Sequence, residues 1–130
     1  MPSGAVEKGT YRVIRALNGL TASGSSEEIV IAGAKRITLM FTRADHSAGS
    51  SAFDVDVSLD GTTYVDFNKL ISNATNTNAQ TKTRVGSVSL AADGSTTVAM
   101  DLEDDCFYSM KVNVTETTDG THSALVMLEY

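Results

Sequence analysis

"DVSLDGTTYVDF", Asp56 to Phe67, has three readings that lead to different proteins: an acidic metal loop, a sugar-binding edge, or a tight β-hairpin with nothing bound. Phe53, Val55 and Val57 alternate with Asp54, Asp56 and Ser58, the period of a strand with one buried face. Asp60-Gly61 then offers the positive φ that a hairpin turn requires. A two-residue loop would set Val55 against Asp66 and place an acid on the apolar face. A three-residue loop, Leu59-Asp60-Gly61, pairs Val57 with Thr63, Val55 with Val65 and Phe53 with Phe67, so apolar partners meet. The hairpin accounts for Asp-Gly without a ligand.

The calcium reading fails on spacing. An EF-hand loop needs a further oxygen ligand and a glycine at set offsets, and Ser58 and Leu59 fill those places. Alternate acids on a strand also spread along a face instead of wrapping a cation. "DLEDD", Asp101 to Asp105, is the better cation candidate of the two because a loop can wrap, although most acidic loops are only hydrated. No metal and no cofactor is expected.

The same alternation recurs through the chain. Ile37, Leu39 and Phe41 alternate with Arg36, Thr38 and Met40, and Val98, Met100 and Leu102 with Thr97, Ala99 and Asp101. Tyr11–Leu17, Glu28–Ala32, Arg84–Ala91, Phe107–Thr115 and Ser123–Tyr130 are further strands, and a helical turn is expected around Asp66–Ser72. Asn18-Gly19, Asp60-Gly61, Asp93-Gly94 and Asp119-Gly120 predict tight antiparallel connections, and the polar stretch from Ser72 to Thr83 reads as a surface loop. Eight or nine short strands in 130 residues predict an all-β, single-domain antiparallel β-sandwich, jelly-roll or Ig-like, over residues 11–130, with residues 1–10 as an extended amino-terminal arm.

Composition narrows the function classes. A net charge of -6 argues against nucleic acid as the main partner, because phosphate recognition demands clustered Lys and Arg. No apolar run is long enough to cross a bilayer, and Met1 to Lys8 lacks the features of a secretory leader, so no membrane role is expected. The one cysteine, Cys106, follows an acidic run that disfavours its thiolate. Two histidines, His46 and His122, with no Gly-x-Ser-x-Gly elbow and no His-x-x-x-His pair, predict no catalytic residues and no enzyme. A carbohydrate-binding module is the rival reading, weakened by the absence of Trp.

Charge is unevenly spread. The first 43 residues carry six basic and three acidic side chains, and the rest carry four and thirteen. A basic end on an acidic body suits docking onto an acidic partner, and it equally suits a solvated face with no partner.

The stretches "ITLMFTRADHSAGSSAFDVDVSLDGTTYVDFNKLI" and "RVGSVSLAADGSTTVAMDLEDDCFYSMKVNVTETTDGTHSALVMLEY" resemble small β-sandwich virion proteins of tailed bacteriophages, most of all capsid decoration (cement) proteins. The resemblance spans Ile37 to Tyr130, with "VSLDGTTYVDF" and "VNVTETTDGTHSALV" its most recognisable pieces. It implies a structural protein on the capsid surface of the virion that bridges capsid subunits, with the major capsid protein as partner and a homo-oligomeric state, dimer or trimer. A tail or adhesion component is the alternative. In this picture Met1 to Arg15 docks on the lattice: Lys8, Arg12 and Arg15 meet carboxylates, and Val6, Tyr11, Val13 and Ile14 supply apolar anchors. The competing reading makes Tyr11–Leu17 the first strand of the domain.

Overall fold

Each stretch of alternating sequence becomes a strand, and the chain passes back and forth between two sheets. A computed structural model describes residues 10–72 and 83–130, so the arm with Val6 and Lys8, and nearly all of the loop from Ser72 to Thr83, lie outside the described residues. The strands are β1 (Tyr11–Leu20), β2 (Gly24–Ser25), β3 (Ile29–Val30), β4 (Arg36–Ala44), β5 (Ser51–Ser58) and β6 (Tyr64–Phe67). They continue with β7 (Leu70–Ser72), β8 (Arg84–Val85), β9 (Val88–Leu90), β10 (Gly94–Met100), β11 (Ser109–Glu116) and β12 (Thr121–Glu129). One sheet has the order β1-β12-β4-β10-β7-β8; the other runs β2-β11-β5-β6, with β3 on β11 and β9 on β5. All pairings are antiparallel, and the fold is the expected all-β sandwich.

Inward residues of both sheets form one core. Phe41 of β4 stacks on Phe53 of β5, ring centroids 4.8 Å apart, joining the sheets at its centre. Leu39, Val55, Leu70, Val98, Val112, Val126 and Leu128 are fully buried around them. Burying a side chain of this kind contributes about 1.5–3 kcal/mol relative to leaving it in water.

The expected helical turn at Asp66–Ser72 is instead β6 and β7, which belong to different sheets. Phe67, Leu70 and Ile71 are all buried. Their spacing imitates a helix because the chain changes sheet between them. The expected strand Arg84–Ala91 likewise divides into β8, on β7, and β9, on β5. Such divisions raise the count above eight or nine.

The hairpin at Asp60-Gly61 forms, in a different register. Val57 pairs with Val65 and Val55 with Phe67, leaving Leu59 to Thr63 as a five-residue loop. Side chains hold it open: Ser58 Oγ accepts the Gly61 N–H at 2.8 Å, and Asp60 Oδ1 accepts the N–H groups of Thr62 and Thr63, both at 2.8 Å. The predicted register is two residues out, a shift that keeps every side chain on its face. Of the other Asp/Asn-Gly pairs, Asn18-Gly19 falls at a bulge in β1, while Asp93-Gly94 and Asp119-Gly120 carry the chain from one sheet to the other. They are corners, not hairpins.

Candidate interaction surface

Strand order places β1 at one flank of the sandwich and β6 at the other, each hydrogen-bonded on one side only among the described residues. The carboxy-terminal strand β12 holds β1 from Tyr11 to Leu20, so Tyr11–Arg15 is part of the domain and not a free arm. Alternation divides its residues. Val13 pairs with Met127, and both are exposed on the outer face with Tyr11 and Arg15. Ile14 is half-buried against the core and serves its own domain as an anchor. Arg12 pairs with buried Leu128, yet is itself exposed at the rim. An inward-side charge of this kind and the bulges after Arg15 and Asn18 both limit indiscriminate edge pairing.

Tyr11, Arg36, Thr38, Met127 and Glu129 line a shallow groove of about 160 Å³ on the outer face. The Tyr11 hydroxyl donates to Glu129 Oε2 at 3.3 Å, and Arg36 pairs with the same carboxylate. That guanidinium holds Glu129 below the usual carboxylate range. Arg12 and Arg15 form no salt bridge with any described residue.

The β6 flank is acidic and partly apolar. Val65 is 60% exposed and Leu59 76%, and with Val57, Thr63 and Phe107 they border a groove of about 300 Å³. On the outer face of the same sheet Lys111, Asp56 and Asp66 lie in one cross-strand row, and Asp54 follows two residues before Asp56. Carboxylate oxygens of Asp54, Asp56 and Asp66 fall within 4.8 Å of one another. Burial pushes the carboxyls of Asp54 and Asp56 upward, with neighbouring acids adding to it. Asp56 Oδ1 is buried with no hydrogen-bond partner. Of the alternate acids Asp54, Asp56 and Asp60, Asp60 stays in the hairpin loop, while Asp54 and Asp56 are joined by Asp66, which β6 brings opposite Asp56. In the Asp101–Asp105 loop, the better cation candidate by sequence, Asp101 instead pairs with Arg84 and Asp105 with Lys69.

At one end of the sandwich the polar residues serve structure. Arg43 is fully buried and donates to the carbonyls of Ala48, Gly49, Leu90 and Asp119 at 2.8–3.0 Å. His122, also fully buried, donates from Nδ1 to the Leu20 carbonyl at 2.9 Å and accepts the Ser51 hydroxyl at Nε2, 2.7 Å away. Ser51 has no exposed surface, so its oxygen is closed to a substrate. His46 meets Asp93, Nδ1 to Oδ1 2.5 Å, a pairing between distant loops that spacing could not disclose.

No protein-family model matches the chain, and no curated protein sequence matches it. Among solved structures it shares its fold with the SPBc2 prophage-derived protein YomS, at a TM-score of 0.65 and 11% identity over 96% of this chain and 99% of that one. A protein of the Bacillus endospore appendages, described as disulfide-linked pili, superposes at 0.48 with 11% identity over 99% and 96% of the two chains. PirA superposes at 0.37, also with 11% identity, over 98% and 100%. At such identity the likeness to YomS is one of fold.

Proposed function

We propose that this chain is a structural virion protein of a tailed phage that binds the outside of the capsid and stabilises it by bridging capsid subunits. The observation that carries the reading is the end-to-end fold likeness to a prophage-derived protein, in a chain whose sequence resembles phage decoration proteins. Two features support it. A mainly acidic body keeps particles soluble, and Arg12 and Arg15, without a salt bridge among the described residues, form with exposed Tyr11 and Val13 a surface for an acidic, partly apolar partner. Tyr11, Val13 and Arg15 share the outward face of β1, and that face is the one offered to the major capsid protein.

Quantitative mass spectrometry of purified virions, scaled to the major capsid protein, tests this directly. Hundreds of copies per particle are expected on the order of the lattice itself; a handful moves the chain to the tail, and none overturns a virion role. Stabilisation has its own readout. A partner present at about 100 times its Kd adds about 2.7 kcal/mol to the folded form, so the chain should melt several degrees higher on capsids than free. Equal melting temperatures sink the cement role.

A further inference from the structure

The two free edges match each other. β1 is regular from Tyr11 to Arg15, ahead of its first bulge, and β6 offers the four residues Tyr64 to Phe67. Among the described residues the other outer strands, β2, β3, β8 and β9, have only two or three residues each, too few to extend a sheet. β1 carries cations with no salt bridge among the described residues, β6 brings Asp66 to the carboxylates of Asp54 and Asp56 on β5, and each strand presents an exposed valine, Val13 at 58% and Val65 at 60%.

We infer that copies of this chain join edge to edge, β1 of one adding to β6 of the next in the antiparallel register that sets Val13 beside Val65 and Arg12 beside Asp66. Directly opposed residues in an antiparallel pair share a face, so both matches hold at once. A slip of one residue breaks both, setting Arg12 against Val65. The match also extends a row already present: Lys111, Asp56 and Asp66 run across β11, β5 and β6, and Arg12 of the adjoining copy closes the line with a second cation. The crowded acids then have a positive neighbour on both sides. Pairing also satisfies backbone N–H and C=O groups that otherwise face water on both strands.

The occupant is a second copy because this chain carries both halves of the match. Since the two edges lie on opposite flanks, the contact is heterologous, and repeated addition yields a ring or an open chain.

Sedimentation velocity on the isolated full chain, across a roughly hundredfold concentration range spanning micromolar affinity, reads the contact without any capsid. It therefore stands or falls apart from the virion reading. Association should rise with concentration and weaken with added salt. Arg12→Asp and Asp66→Arg should each weaken it roughly tenfold or more, as like charges replace the opposed pair. Mixing these two variants should restore it, because each copy then meets an opposite charge at both edges, and the double variant should associate alone. Unchanged melting temperatures would show that the variants fold. A chain that stays monomeric throughout, or reversals that neither disrupt nor rescue, would overturn the inference.

Discussion

Arg43 shows what alternation tells and what composition conceals. It continues the inward series Ile37, Leu39, Phe41, so parity alone aims it at the core, yet a tally of charge assigns it to a basic end that could meet a partner. In the fold it ties together four backbone carbonyls, from two loops and the end of β9, and is lost to any partner. Arg43→Met should cost at least about 3 kcal/mol, since buried carbonyls left unpaired cost about 1–3 kcal/mol each; a melting temperature within a degree or two of the parent would refute that role. Asp56 behaves in the opposite sense. Its folded-state carboxyl is pushed upward by burial and by Asp66 directly across, so its ionised form weakens the fold. Asp56→Asn should therefore raise stability at neutral pH by up to about 1 kcal/mol, the scale of a cross-strand like-charge pair. The gain should shrink as pH falls and Asp56 takes up its proton.

At the scale of elements, turns were the least legible part of the chain. Four Asp/Asn-Gly pairs share a sequence pattern, and only Asp60-Gly61 closes a hairpin, because whether two successive strands pair depends on which sheet each joins. Inside that loop Asp60 accepts two backbone N–H groups, which lower its carboxyl along with the Ser58 hydroxyl. Asp60→Ala should lower the melting temperature and raise amide exchange at Thr62 and Thr63 before it does so elsewhere. Gly120 is constrained more tightly. Its φ of +139° is strained for other residues, and a Cβ there would come within 3.0 Å of Arg43 Nε and 3.1 Å of His122 Nε2. Gly120→Ala should cost about 1–3 kcal/mol, measured by urea unfolding; a neutral result would mean that the corner relaxes.

For the molecule as a whole, acids held low outnumber those held high. Asp60, Asp93, Asp101, Asp119 and Glu129 are lowered, by Thr63 and Thr62 N–H groups, His46, Arg84, Ser47 and Arg36 in turn. A lowered carboxyl contributes stability that is present above its unfolded pKa of about 4 and is lost as pH falls through the folded value. Asp54 and Asp56 contribute the reverse and soften the loss. The melting temperature should hold through neutral pH and fall below about pH 4. A profile that rose steadily toward acid would show that the crowded acids of the second sheet outweigh the paired ones. The paired acids join loops far apart in sequence, Asp93 to His46 and Asp119 to Ser47, so acid should loosen that end of the sandwich first.

The period of two along Ile37–Phe41, Phe53–Val57 and Val98–Leu102 determined an all-β sandwich and which residues face its core, because strand geometry alone decides the parity of a side chain. Charge along the chain likewise placed the basic Arg12 and Arg15 near the amino terminus. Only the tertiary structure decided register, sheet membership and neighbours. Pairing shifted by two residues leaves every face unchanged, so sequence cannot distinguish Thr63 from Val65 opposite Val57. The convergence of Asp66 on Asp54 and Asp56, and the placement of a basic edge and an acidic edge on opposite flanks, follow from strand order, and strand order is set by contacts between residues remote in sequence.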